Sequence, residues 1–166
     1  MQIPYRKPPK FSEFQQDPLL TQQKFLELQS KLKHLLASRP QAADEVNRLA
    51  QNGDFSENAE YQHAKGRLRG MNSAILKLEH QISHAVIIKT RGNGTVEIGT
   101  RVTVEVSGAQ RTYHILGSAE TKPEKGIISY TSPIGSALIG HAVGDVVEAL
   151  LPVGKITYTI LTITAE

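Results

Sequence analysis

Apolar residues recur at helical spacing on both sides of an Asn52-Gly53 pair, and this arrangement constrains the fold more than any other feature. Phe25, Leu28, Leu32 and Leu35 follow one another at steps of three, four and three, the seam of a coiled coil. Leu68, Met71, Ile75, Leu78 and Ile82 repeat those steps downstream. Pro40 lacks a backbone N–H and biases Arg39 away from helix, so a kink or brief break is expected there. A second amphipathic piece should follow it, with Val46 and Leu49 inward. Asn52-Gly53 supplies a left-handed stop, and the second helix is expected over 56–85. Two such helices joined by a few residues must pack antiparallel. The first spans about 32 residues, which gives a hairpin on the order of 48 Å long at ~1.5 Å per residue.

After Ala85 the pattern becomes β. Ala85–Lys89 passes from helix to strand, Thr100–Val106 alternates as RVTVEVS, and Arg111–Leu116 and Gly126–Tyr130 follow. Val146–Leu151 and Lys155–Thr164 read as a hairpin around Pro152–Gly154. Ser132-Pro133 before Ile134–Ile139 reads as a short helix with Ser as cap and Pro in the first turn. The fold class expected is therefore α+β. Residues 1–18, with four prolines, form an extended arm; residues 19–85 form the coiled-coil hairpin, with a tip at 53–61; residues 86–166 form a small domain on an antiparallel sheet.

Composition narrows the function classes. The 166 residues include no cysteine, which excludes a disulfide framework and thiolate metal sites. No apolar run approaches the ~18 residues of a membrane span, and the N-terminus lacks the apolar stretch of a signal peptide. A cytoplasmic protein without a membrane partner is the expectation. The net charge of +3 decides little, but its distribution is uneven. Between Tyr61 and Arg91 the basic residues Lys65, Arg67, Arg69, Lys77, Lys89 and Arg91 face a single acid, Glu79. Just upstream, Asp54, Glu57 and Glu60 have no basic residue among them.

These acids invite two readings. Asp54 or Ser56 can cap the second helix, and Glu57 and Glu60 lie where the positive helix end favours them. Capping alone does not call for a carboxylate cluster at the end of a long rod. Asp54 and Glu57 could jointly hold a hard cation such as Mg²⁺ through oxygen ligands. Two or three carboxylates make a weak site, so a partner would have to complete the coordination.

The stretch NGDFSENAEYQHAKGRLR resembles the hairpin tip of the Gre transcript-cleavage factors of bacterial RNA polymerase. The family hallmark runs Gly-Asp-x-Ser-Glu-Asn-Ala-(Glu/Asp)-Tyr, met here by Gly53, Asp54, Ser56, Glu57, Asn58, Ala59, Glu60 and Tyr61. The similarity continues through Thr131–Ala137 and Gly144-Asp145-x-Val147, and covers roughly residues 19–164. It implies an antiparallel coiled coil followed by an FKBP-like domain that docks at the rim of the polymerase secondary channel. The factor is then an accessory protein and not an independent enzyme. Asp54 and Glu57 would help bind a second Mg²⁺, shared with the polymerase active site and not held stably by the factor alone. They would also position the attacking water, with Ser56 supporting the tip and Glu60 and Tyr61 orienting it. Docking falls to Thr131, Ser132 and Pro133, although Thr131 stands where the family usually has Asp or Asn.

The basic stripe fits the same picture. His63 and Arg67 are four apart, as are Lys65 and Arg69, so each pair lies on one helix face. The plain reading is a solvated face; the functional one is a surface that holds the 3′ end of backtracked nascent RNA through its phosphates. QHAKGRLR resembles the GreB type more than the GreA type, and a monomer is expected. Two alternatives stay open: a non-cleaving regulator that occupies the secondary channel, and a prolyl isomerase. The second is disfavoured by an aromatic content of 5% with no Trp. His80 and His84, also four apart, sit near a helix C-terminus where positive charge is favoured.

Overall fold

The computed structural model describes residues 17–51 and 59–165. The expected arm over residues 1–18 lies outside the described residues except for its last two, and the tip residues 52–58 lie outside them as well.

Two long helices come first. Helix α1 (Gln22–Ala50) begins at Thr21, whose side chain accepts the Lys24 N–H at 3.1 Å, and ends on Gln51. Helix α2 (Ala59–Ser83) packs against it in reverse. The seams face each other: Leu28, Leu49, Ala64, Ile75 and Leu78 are buried, and Leu32, Leu35 and Ile82 are partly covered. Ala64 marks a point of close approach that the periodicity of larger residues had not singled out.

Of the kink or brief break expected at Pro40, the break does not occur, since α1 runs through it as one helix. A proline in a helix interior costs ~3 kcal/mol through the lost hydrogen bond and a ring clash. Packing against α2 on both sides offsets that cost. At the adjacent residue the two helices are also tied directly, where Arg39 Nε donates to Asn72 Oδ1 at 2.8 Å.

The root of the hairpin is clasped by two short strands. β1 (Leu19–Leu20) precedes α1 and β2 (Val86–Ile87) follows α2, and they pair in parallel, Leu19 with Val86 and Leu20 with Ile87. Leu20 is fully buried against Leu28 and Leu78. The clasp was not foreseen: β1 has only two residues, too few for any periodicity to register.

The remaining strands are β3 (Thr100–Val106), β4 (Ala109–Leu116), β5 (Ile127–Ser129), β6 (Val146–Leu151) and β7 (Gly154–Ala165), in the order β5-β4-β3-β7-β6. The β3–β4 turn is tight because Ser107 and Gly108 both take positive φ, 51° and 75°, as a type I′ hairpin demands. β6 and β7 pair around Pro152 and Val153, with Leu151 opposite Gly154. Alternate residues of β3, namely Val102 and Val104, turn into one core with Ile115, Val147, Tyr158, Ile160 and Leu138. The architecture is the expected α+β one. Its sheet is mixed, because β5 adds to β4 in parallel while the other pairings are antiparallel. The crossover that a parallel pair requires is made by residues 117–126, which contain 3₁₀ turns at Ser118–Glu120 and Pro123–Lys125.

Candidate functional site

The described residues singled out by sequence fall toward two ends of the hairpin. Asp54, Ser56 and Glu57 lie outside the described residues, in the link between Gln51 and Ala59. The helices that flank this link fix where it leaves and re-enters the hairpin. Arg39 pairs with Asn72, and Arg67 Nη2 with Glu45 Oε1 at 2.7 Å. Both pairs straddle the same centre, near residues 55–56, so Gln51 and Ala59, the described residues that bound the acidic stretch, stand at the end of the hairpin away from the sheet. At ~1.5 Å per residue the 29 residues of α1 put that end about 43 Å from the clasp.

His63, Lys65, Arg67 and Arg69 are exposed along the first turns of α2. They do not act alike. Lys65 Nζ sits 5.5 Å from the centre of the Tyr61 ring, a cation–π placement that steers the ammonium. Arg67 is bound to Glu45 of the facing helix, so its charge is largely neutralised at its own surface. The sequence shows no acid interleaved in this stretch; the acid comes instead from α1. It was discoverable in principle, since a hairpin centred on residues 55–56 sets Glu45 opposite Arg67. Gly66 and Gly70 face open space, with nothing within 4 Å of a β-carbon built on either.

The segment Thr131, Ser132 and Pro133 belongs to the other end. Ser132 caps helix α3 (Pro133–Leu138), accepting the Gly135 N–H at 3.1 Å, with Pro133 in the first turn. Its hydroxyl donates to the Ser129 carbonyl at 2.6 Å. Gly135 is required here, because a β-carbon would collide with that same carbonyl oxygen. Thr131 Oγ1 lies 2.7 Å from Ser129 Oγ, and Ser118 Oγ lies 3.0 Å from Ser129 Oγ, closing a row of hydroxyls. Ser118 and Ser129 had not been picked out, because a scattered pair of serines leaves no mark until β5 is laid beside β4. The segment overlooks a cavity of about 620 Å³ lined by Lys24, Leu28, Gln81, Ser118, Tyr130 and Thr131. It therefore stands at the root of the hairpin. From His63 to Gln81 the distance along α2 is roughly 27 Å.

Asp145, in the Gly144-Asp145-x-Val147 stretch, is a turn-former. Its Oδ2 accepts the Ala142 N–H at 2.8 Å and lies 3.3 Å from His141 Nδ1. Those two contacts, the backbone one first, hold its carboxyl below the usual aspartate value. Val147 is buried in the core.

As metal ligands, Asp54 and Glu57 offer carboxylate oxygens. Carboxylate oxygens suit a hard cation such as Mg²⁺, and two of them leave most of an octahedral shell to be filled from elsewhere. Among the described residues no group of three or more His, Cys, Asp or Glu converges as a metal site. His80 and His84 stack with ring centres 4.2 Å apart, and His84 Nδ1 lies 2.8 Å from the His80 carbonyl oxygen. No helix among the described residues is long and apolar enough to cross a membrane.

Comparison with known proteins gives a consistent result. Residues 18–87 match the family "Transcription elongation factor, N-terminal", and residues 91–165 match "Transcription elongation factor, GreA/GreB, C-term". The transcription elongation factor GreA of Macrococcus caseolyticus is 41% identical over 86% of this chain and 93% of its own length. GreA of Chloroflexus aggregans is 38% identical over 87% and 95%. These relatives carry the GreA name, so the leaning toward the GreB type drawn from QHAKGRLR finds no support in them. The crystal structure of GreA factor homolog 1 (Gfh1) of Thermus thermophilus is 27% identical over 90% of this chain and 99% of that one. Its TM-score of 0.42 is too low to carry a structural argument.

Proposed function

This chain belongs to the GreA/GreB family of transcription elongation factors, and on that premise we propose that it binds bacterial RNA polymerase and stimulates cleavage of backtracked RNA. The domain of residues 86–166 docks through Thr131, Ser132 and Pro133 at the rim of the secondary channel. The hairpin reaches inward. Asp54 and Glu57 arrive at the polymerase active site, where they hold a Mg²⁺ together with ligands of the polymerase. When bound, that ion supplies positive charge to the attacked phosphate and eases deprotonation of water. Ser56 steadies the tip, and Lys65 and Arg69 attract the phosphates of the extruded 3′ end. The factor is an accessory protein, since its two acids complete a site that belongs to another enzyme.

The observation that supports this reading is the shared centre of the Arg39–Asn72 and Glu45–Arg67 pairs, which puts Gln51 and Ala59, on either side of the acidic stretch, at the far end of the hairpin. A coiled coil needs no carboxylates there for its own stability. The test is a cleavage assay on a backtracked complex of the cognate polymerase. Asp54→Asn and Glu57→Gln are expected to abolish stimulated cleavage while leaving polymerase binding intact. If both variants cleave as the native factor does, the tip is not catalytic and occupancy of the channel is the function that remains.

A further inference from the structure

The 3₁₀ turn Ser118–Glu120 touches both halves of the molecule. Glu120, half-buried, grips the start of α1 with both carboxylate oxygens. Oε1 accepts the Thr21 backbone N–H at 2.6 Å and Oε2 accepts the Thr21 hydroxyl at 2.8 Å. Thr21 is itself the N-cap of α1, its hydroxyl oxygen accepting from Lys24 N. Two residues away, Ser118 N–H donates to Asp17 Oδ2 at 2.8 Å, and the other oxygen of Asp17 accepts the Leu19 N–H at 3.0 Å. Gly117 lies so close under the Leu19 carbonyl that no β-carbon fits. On its other side the same turn meets the docking segment, where Ser118 Oγ stands 3.0 Å from Ser129 Oγ and 3.5 Å from Thr131 Oγ1.

From this we infer that Glu120 is a positioning residue, which fixes the direction of the hairpin relative to the docking segment and thereby decides where the acidic tip arrives. The physical case is leverage. Among the described residues, these hydrogen bonds tie the hairpin to the sheet domain at its root, so contacts there set the direction of the rod. The Glu120–Thr21 pair holds the N-cap of α1 itself by a charged acceptor, and hydrogen bonds to charged groups are the stronger kind. A rotation of about 5° at the root displaces the far end of a helix about 43 Å long by roughly 4 Å. Misplacing a reacting group by an ångström can cost on the order of 100-fold in rate. Glu120 thus acts on cleavage through the hairpin, without contact with RNA or metal. Its effect on cleavage rests on the function proposed above; its effect on hairpin direction does not.

The chain has no cysteine, so spin labels can be placed uniquely at Asn47→Cys, near the far end of α1, and Val153→Cys, in the β6–β7 turn. Double electron–electron resonance on the doubly labelled protein should give a narrow distance distribution, which Glu120→Ala shifts or broadens by roughly 4 Å or more. In the cleavage assay, Glu120→Ala should lower the maximal stimulated rate at least ~10-fold, while the factor concentration for half-effect stays within about 2-fold of native. Glu120→Gln keeps one acceptor oxygen and the same shape, and should fall between native and alanine in both readouts. Should Glu120→Ala fail to fold, Glu120→Gln must still show both changes at smaller size. An unchanged distance distribution in the alanine and glutamine variants overturns the inference, as does a changed distribution with an undiminished maximal rate. If the native factor stimulates no cleavage, the functional proposal fails, and the distances alone still decide whether Glu120 sets the direction of the hairpin.

Discussion

Arg67 Nη2 and Glu45 Oε1 stand 2.7 Å apart across the two helices of the hairpin. Their side chains are 63% and 38% exposed, so the pair contributes within the ~0–1 kcal/mol of surface ion pairs. Its consequence is electrostatic: Arg67, one of the four candidate RNA-facing side chains, already has an acidic partner. Arg67→Ala should therefore weaken retention of long backtracked RNA less than Lys65→Ala or Arg69→Ala. Crosslinking of the RNA 3′ end to the factor in stalled complexes measures this. Equal losses from all three would mean that Glu45 releases Arg67 when RNA arrives.

The docking segment depends on a hydrogen-bonded cap and a missing β-carbon. Ser132→Ala removes the acceptor for the Gly135 N–H and should cost about 1 kcal/mol. Gly135→Ala forces a methyl against the Ser129 carbonyl and should cost ~1–3 kcal/mol. Urea unfolding reports both costs. Polymerase affinity should fall further for Gly135→Ala, since α3 must move off β5.

Pro40 gives the opposite sign. A proline inside α1 forfeits a helical hydrogen bond at ~3 kcal/mol, and it returns ~0.4–1 kcal/mol by restricting the unfolded chain. Pro40→Ala should accordingly stabilise the protein by about 2 kcal/mol, read as a higher urea midpoint. A neutral or negative result would show that the helix bends at this point and relies on the bend.

Asp145 sets an acid limb of stability. Its folded carboxyl titrates below the ordinary aspartate value, chiefly through the Ala142 N–H and then through His141. The unfolded chain therefore binds the proton more readily, and stability must rise with pH across that interval. The contribution is complete above the ordinary aspartate value and is lost as pH falls through the folded one. Thermal unfolding of native protein and Asp145→Asn should differ near neutrality and converge in acid.

Much of this architecture was written in residue spacing. Steps of three and four in Phe25–Leu35 and Leu68–Ile82 specified two helices with facing seams, and alternation in Thr100–Val106 specified a strand, because each pattern repeats over enough residues to bury a face. Ser132-Pro133 announced the short helix α3 through its cap. The acidic stretch was legible as a motif, and the seams on both sides of it led to the expectation of a tip at 53–61. Spacing could not reveal what depends on distant chain coming together. The break at Pro40 was not realised because local propensity counts a lost hydrogen bond and not the packing of α2 alongside. Glu45 beside Arg67, the parallel addition of β5, the clasp of Leu19–Leu20 on Val86–Ile87, and Glu120 on Thr21 join residues that share no periodicity. The sequence by itself determined the elements and the acidic composition of the stretch between the two helices. Only the tertiary structure decided how the rod is held, since that rests on single contacts between residues as far apart in the chain as Thr21 and Glu120.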